Sequence, residues 1–173
     1  GNPLTGLVLD LRDNPGGTLQ SAVAVSDLFL QSGTIVTTKG RFYDANQHFR
    51  AKKGDILNGA PIVVLINENS ASAAEILAAA LKDNHRATLI GSQSFGKGSV
   101  QSLIPLGNGN TALKLTTAKY FTPSGQSIEG IGVTPDVAIN QSTLSQIDKV
   151  VIIKNEQGND DRPWSRKDSA DPL

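Results

Sequence analysis

Apolar and polar residues alternate along this chain in blocks whose spacing predicts strands and helices in regular succession. The strand-like blocks are short apolar runs bounded by turn residues, at 6–12 (GLVLDLR), 33–39 (GTIVTTK), 62–67 (IVVLIN) and 87–91 (ATLIG). Between them, residues 18–29 carry apolar side chains at helical spacing, and 68–84 is rich in strong helix formers. This succession of strands and helices predicts an α/β layer with helices packed on a sheet.

The second half of the chain has a different pattern. Residues 99–121 alternate around a Gly- and Asn-rich turn at 107–110, which predicts a hairpin, and residues 41–55 show weaker hairpin character. A hairpin added to the strand and helix units suggests a mixed sheet. We therefore predict a mixed α/β fold in residues 1–140, followed by a mostly polar extension at 141–173. Apart from the apolar run at 150–154, this extension is polar, and residues 155–173 are too charged and proline-containing to enter a core.

Composition narrows the classes of function. With 173 residues, 38% of them hydrophobic, the chain is long enough for one sizeable core. Its 16 Lys and Arg residues balance 16 Asp and Glu residues, so nothing indicates a surface that binds nucleic acid through its phosphates. The absence of cysteine excludes disulfides, thiolate metal sites and a cysteine nucleophile. The chain also lacks methionine and opens directly into an apolar run, so we expect it to be a piece of a longer protein.

The stretch GSQSFGKGS has the spacing of a nucleotide-binding phosphate loop, because Gly91, Gly96 and Lys97 fit G-x-x-x-x-G-K. Such a loop also needs a Ser or Thr directly after the lysine and a helix whose N-terminus receives the phosphates. Gly98 occupies the hydroxyl position, and the β-branched run that follows predicts a strand. We therefore predict no nucleotide site, which leaves Lys97 either as a surface cation or as part of other chemistry.

Ser72 precedes the second predicted helix in an arrangement with two interpretations. With Glu75 three positions later it forms the S-x-x-E pattern of a capping box, so Ser72, or the nearby Ser70, fits a helix-capping role. A hydroxyl at this position also lies beside unpaired N–H groups and the positive end of the helix dipole, where an oxyanion is stabilised. The pattern alone leaves both roles open.

A serine nucleophile requires a base that accepts its proton. His48 lies in a polar loop-like stretch and His85 follows a predicted helix end, so each fits a solvated or capping role better than a catalytic one. Lysine serves as the base in Ser-Lys variants of the catalytic triad, provided that burial lowers its pKa enough to leave the amine neutral. No acidic residue flanks Lys97, so its local sequence is compatible with that requirement.

Four segments together resemble the C-terminal processing, or tail-specific, serine proteases: LVLDLRDNPGG, NSASAAEILAAALKDN, GSQSFGKGSVQ and TAKYFTPSGQSIEGIGVTPDV. They lie in order and cover most of residues 6–139. The resemblance implies that Ser72 is the nucleophile and Lys97 the general base of a Ser-Lys dyad. It also implies that Gln101 orients the lysine, which requires the loop between them to fold back, since residues four apart in a regular strand lie about 13 Å apart.

The same resemblance implies an oxyanion hole formed by the backbone N–H groups of Gly17 and Ala73. A glycine at position 17 suits this role because it allows close approach of a substrate to the backbone. The implied fold is a ClpP/crotonase-like core of stacked strand-strand-helix units. The implied reaction is hydrolysis of protein substrates near their C-terminus through an acyl-enzyme, without a metal, a nucleotide or another cofactor.

The resemblance also implies a context for the chain and leaves alternatives. Family members carry a PDZ module and further N-terminal core segments upstream, so we expect both in the full-length chain. Inactivity of the piece on its own and assembly into a homo-oligomer are further expectations. Bacterial relatives are usually exported, which implies the periplasm.

Two alternative functions stay open. They are a catalytically silent binding module of the same fold, as in retinoid-binding relatives, and a crotonase-like enzyme that acts on acyl thioesters.

Overall fold

Eight strands, two α-helices and one 3₁₀ turn make up the part of the chain that the computed structural model describes, residues 4–52, 54–107 and 111–139. In chain order they are β1 (Leu7–Asp10), α1 (Leu19–Asp27), β2 (Thr34–Gly40), the 3₁₀ turn (Tyr43–Ala45), β3 (Gln47–Arg50), β4 (Ile62–Ile66), α2 (Ala73–Asp83), β5 (Ala87–Gly91), β6 (Ser99–Leu106), β7 (Thr111–Phe121) and β8 (Val137–Ala138). The fold class predicted from the sequence is confirmed.

The first sheet is entirely parallel, with the strand order β1-β4-β5-β8. Its central pairs are in register through Val64, which lies opposite Leu9 on β1 and Leu89 on β5. Parallel strands require crossover connections, and α1 and α2 lie in the connections between the first three strands of this sheet. The aliphatic runs that predicted these strands are typical of a parallel sheet with a helix layer on it.

The second sheet is antiparallel and corrects the expectation of one mixed sheet. Its order is β3-β2-β7-β6, so the predicted hairpin of β6 and β7 joins β2 and β3 instead of extending the parallel sheet. The junction is the pairing of Thr37 with Phe121, far apart in the chain. Strand periodicity identifies a strand but not its partner, which is why the sequence did not separate the two sheets.

Helix α2 forms the centre of the core. Every residue from Ala73 to Leu81 is buried, and the helix contacts α1, β2 and β5. The alanine-rich sequence suits this position, because small side chains allow close approach from several directions. Glu75 lies fully buried within this segment, so its carboxylate must find hydrogen-bond donors inside the protein.

The carboxyl ends of β1, β4 and β5 lie at one edge of the parallel sheet, and the loops that follow these strands meet there. Loops at this edge are the usual location of sites in α/β folds. Within the described residues, no helix is both long and apolar enough to span a membrane. The predicted boundary at residue 140 and the polar extension at 141–173 fall outside the described residues.

Candidate active site

The carboxylate of Glu75 connects the two segments that carry the predicted dyad. Its Oε2 atom accepts the backbone N–H of Ser72 at 2.8 Å and the backbone N–H of Lys97 at 2.8 Å. The two amide nitrogens therefore both lie within hydrogen-bond distance of the same oxygen atom. The structure thus brings Ser72 and Lys97 together across the intervening helix and strand.

The other carboxylate oxygen of Glu75 holds the loop that precedes Lys97. Oε1 accepts the hydroxyl of Ser94 at 2.5 Å and the backbone N–H of Gly96 at 2.7 Å. Glu75 is fully buried and lies in the first turn of α2, where the helix dipole favours a negative charge. Four donated hydrogen bonds occupy the full acceptor capacity of a carboxylate, which accounts for its burial without an ion-pair partner among the described residues.

Ser72 itself adopts a backbone conformation that is unusual for a residue with a side chain. It has φ 55° and ψ −117° at the turn from the loop after β4 into α2. A serine on such a strained turn between a strand and a helix is the arrangement that exposes a nucleophile in hydrolases. The capping interpretation is realised by Glu75, whose carboxylate bonds the Ser72 amide.

Lys97 lies in the loop before β6, and its side chain is exposed. The expected burial that would leave the Lys97 amine neutral is not supplied by the described residues. The reason is local: Gly96 has φ 90° and sits against the backbone of residues 130–132, and the buried Gly98 leaves no room for a side chain beside Glu129. The loop backbone is thus packed inward while the Lys97 side chain reaches outward.

Gln101 lies on β6 at a bulge, where the register with β7 shifts between Val100 and Gln101. It is exposed and lies opposite Thr116. Lys97 lies two residues before β6, which begins at Ser99. The role of Gln101 in orienting the lysine stays a prediction.

The two amides predicted to form the oxyanion hole come from different loops. Gly17 lies between β1 and α1, and Ala73 is the first residue of α2. Neither amide donates to an acceptor within the described residues. A Cβ atom added to Gly17 would meet nothing within 4 Å, so the space beside this backbone is open. A cavity of about 150 Å³ between the starts of α1 and α2 includes both residues in its lining.

Gly16 is a site residue that the sequence analysis did not single out. It has φ 93°, and an added Cβ would lie 2.6 Å from the carbonyl oxygen of Ala71 and 2.7 Å from the amide nitrogen of Ala73. The glycine therefore allows the first loop to pack directly on the backbone around Ser72. Glu75 was likewise noted only as part of a capping pattern. In both cases the signal was present in the motif, but its meaning depended on contacts distant in the chain.

The histidines occupy the positions expected of non-catalytic residues. His48 lies on β3, where its Nε2 atom is 2.9 Å from the hydroxyl of Thr34. His85 is exposed beyond the end of α2 and has φ 55°. Neither residue lies in the loops that surround Ser72.

A charged pair lies at the end of β1, next to the first of these loops. The guanidinium of Arg12 contacts both carboxylate oxygens of Asp10, at 2.9 and 2.7 Å. These hydrogen bonds lower the pKa of Asp10 to about 2. The pair is exposed, so its charge is largely solvated and internally balanced.

Comparison with known proteins gives consistent matches. The sequence profile of peptidase family S41 matches residues 2–139. The carboxy-terminal-processing protease of Bartonella bacilliformis is 60% identical over 138 residues, which cover 80% of this chain and 32% of that protein. The carboxyl-terminal-processing protease of Synechocystis is 44% identical over 140 residues, 81% of this chain and 32% of that protein.

A solved structure shows the same fold. The photosystem II D1 C-terminal processing protease superimposes with a TM-score of 0.72 at 38% sequence identity, over 79% of this chain and 35% of that chain. The chain therefore spans about a third of the length of the relatives it matches.

Proposed function

Because this chain belongs to peptidase family S41, as its four motifs predicted, we propose that it carries the catalytic residues of a serine peptidase that cleaves protein substrates near their C-terminus. In this proposal Ser72 is the nucleophile and Lys97 the general base. Gln101 orients the lysine, and the amides of Gly17 and Ala73 stabilise the oxyanion.

The observation that carries the proposal is the shared carboxylate of Glu75. One oxygen atom bonds the amides of both Ser72 and Lys97, and this proximity of the two backbone segments supports the proposal. A purely capping Glu75 would need only the Ser72 amide. Its further bonds to the loop of Lys97 are expected of a residue that assembles a site from two segments.

The proposed reaction proceeds through an acyl-enzyme. The Ser72 hydroxyl attacks the scissile carbonyl carbon while its proton moves to the Lys97 amine, which acts in its free-base form although its side chain is exposed, and the oxyanion is held by the two amides. The C–N bond then breaks, and the lysine passes the proton to the leaving amine. Water attacks the ester, Lys97 accepts and returns a proton, and the acid product and the free Ser72 hydroxyl are regenerated.

A fluorophosphonate probe tests this proposal without knowledge of the natural substrate, because it forms a covalent bond with an activated serine. The protein is prepared as the full natural reading frame that encodes this chain. We expect labelling at Ser72, none in Ser72→Ala, and a loss of roughly 10⁴-fold or more in labelling rate in Lys97→Ala. Lys114→Ala, which removes an exposed lysine on β7, serves as the matched control and keeps the wild-type rate.

Two outcomes would contradict the proposal. Equal labelling of the wild type and Lys97→Ala would exclude the lysine as the base. Turnover of a protein substrate such as casein that persists in Ser72→Ala would exclude the acyl-enzyme. A crotonase-like activity would tolerate the serine substitution, and a silent binding module would not label at all.

The context of the site belongs to the same proposal. We infer a PDZ module in the full-length protein, export to the periplasm, and assembly into a homo-oligomer only from the family resemblance. An Arabidopsis thaliana relative, 42% identical over 94% of this chain, is named chloroplastic. Cell fractionation with an antibody against residues 1–139 tests the compartment directly, and recovery in the cytoplasmic fraction would refute export.

A further inference from the structure

The two proposed oxyanion donors must keep a fixed separation although they lie on different loops. A displacement of about 1 Å in such a site costs roughly 100-fold in rate. The loop that carries Gly17 and the turn before Ala73 are joined by hydrogen bonds between other residues of these two segments. The residue at the centre of these hydrogen bonds is Asp13.

Asp13 makes three hydrogen bonds to the loop that follows β4. Its backbone N–H donates to Oδ1 of Asn67 at 2.9 Å. Its own Oδ1 atom accepts the side-chain amide of Asn67 at 2.9 Å and that of Asn69 at 2.8 Å. These partners are 54 and 56 positions away in the chain, so the contacts join the two loops and do not shape one loop locally.

Further hydrogen bonds connect the cluster of Asp13, Asn67 and Asn69 to the two loops that carry the proposed oxyanion donors. Ala71 donates its N–H to the carbonyl of Asn14 at 2.9 Å, and Gly16 donates its N–H to the side chain of Asn14 at 2.9 Å. Gly16 in turn lies against the backbone of Ala71 and Ala73. A continuous set of short contacts thus runs from Asp13 to both oxyanion loops.

Stability alone is a poor explanation for Asp13. The residue is exposed, and its φ of 58° lies in the left-handed region, which is unfavourable for a residue with a side chain. Hydrogen bonds in contact with water contribute little net stability, because water replaces them when they break. A strained residue with several long-range bonds is better explained by the geometry that it fixes.

We propose that Asp13, through Asn67 and Asn69, is a positioning residue that holds the amide of Gly17 in register with the amide of Ala73. This inference rests on the proposed function, because it concerns the geometry of that oxyanion hole. In this proposal Asp13 acts through the two loops and not as a catalytic group.

The electrostatics around Asp13 support an acceptor role. The hydrogen bonds from Asn69 and Asn67 lower the pKa of its carboxyl, and the charge of Arg12 lowers it further, whereas Asp10 opposes the shift. The carboxylate therefore keeps its acceptor oxygens at neutral pH.

The test compares two substitutions of Asp13 in the full natural reading frame. Asp13→Gly removes the acceptor while relieving the left-handed strain, and Asp13→Asn keeps both an acceptor oxygen and tolerance of that conformation. With the fluorophosphonate probe, we expect Asp13→Gly to lower the maximal rate of Ser72 labelling by roughly 10- to 100-fold with little change in probe affinity. Asp13→Asn is expected to restore most of the rate, and the Tm of both variants to stay close to wild type.

Two further variants sharpen the result. Asn58→Gly also replaces an exposed left-handed residue, at φ 48°, away from the site, and is expected to label at the wild-type rate. Asn69→Ala leaves Asp13 unchanged and is expected to reproduce part of the loss. Combined with Asp13→Gly it should add little, because both substitutions break the same contact.

The outcomes separate this inference from the proposed function. A wild-type protein that does not label at Ser72 refutes the proposed function and this inference with it. If the wild type labels and Asp13→Gly labels equally fast, only the positioning role is refuted. A rate loss that merely follows a lower Tm, or one that Asp13→Asn does not recover, refutes it as well.

Discussion

Replacing Glu75 with glutamine tests whether one carboxylate holds the site together. Glutamine has nearly the same shape but presents one acceptor oxygen and one NH₂ group, which is itself a donor. If the NH₂ group takes the place of Oε2, the backbone amides of Ser72 and Lys97 both face another donor. If it takes the place of Oε1, the Gly96 amide does so, because the Ser94 hydroxyl can rotate to accept a hydrogen bond. The substitution therefore leaves one or two backbone donors without a partner.

The cost follows from the donors left without a partner. A buried donor without a partner costs about 1 to 3 kcal/mol, so Glu75→Gln should lower the free energy of unfolding by about 1 to 6 kcal/mol. The negative charge at the start of α2 is also lost, which adds about 0.3 to 1 kcal/mol. Because a domain is stable by only about 5 to 15 kcal/mol, this is a large fraction of the total.

Urea denaturation followed by circular dichroism measures the change, and the fluorophosphonate labelling rate measures its effect on Ser72. We expect a lower midpoint with an unchanged m-value, together with slower labelling under conditions where the variant is still folded. Glu68→Gln is the matched control, because Glu68 is exposed and its carboxylate accepts a hydrogen bond from the Ser92 side chain. If Glu75→Gln unfolds at the same urea concentration as Glu68→Gln, the four-donor account of Glu75 is wrong.

Two further changes test packing and acid stability. Gly16→Ala should destabilise the protein by roughly 1 to 3 kcal/mol through its positive φ alone, and further through its backbone contacts. Gly125→Ala, at φ 84° and with no atom within 4 Å of an added Cβ, should show the backbone strain alone. Equal urea midpoints for the two variants would refute the effect of the contacts. Burial raises the pKa of Asp55, but hydrogen bonds from two backbone amides and from Arg86 outweigh the effect of burial, so the pKa is lowered. The contribution of Asp55 to stability should therefore be complete above about pH 4 and lost as the pH falls through the lowered pKa. Arg86→Ala should cost roughly 3 kcal/mol at pH 7 and weaken this acid dependence, and a stability curve between pH 2 and 7 that matches wild type would refute the role of the pair.

The sequence predicted individual strands and helices better than it predicted which strands pair with each other. Aliphatic runs identified β1, β4 and β5, and helix formers identified α2, because these signals depend on neighbours in the chain. β8 was missed because its two residues, Val137 and Ala138, are exposed and carry no periodic pattern. The division into two sheets was also missed, since the pairing of β2 with β7 joins segments that no local pattern relates.

The candidate site shows the same limit. Resemblance identified Ser72 and Lys97, but only the structure relates them, through a buried Glu75 that the sequence presented as a capping residue. The burial expected for Lys97 was a property of its surroundings in three dimensions, and the structure leaves the side chain exposed. Neighbouring residue types cannot predict which parts of a loop face solvent.

If Ser72 is the nucleophile, as proposed, its reactivity depends on the folded chain. During synthesis the serine emerges before Lys97, and at that stage it is an ordinary hydroxyl in an unstructured chain, as harmless as any other. The hydrogen bonds that bring the later loop to Ser72 come from Glu75, inside the buried part of α2. In the proposed mechanism, the serine therefore gains its base only in the native state.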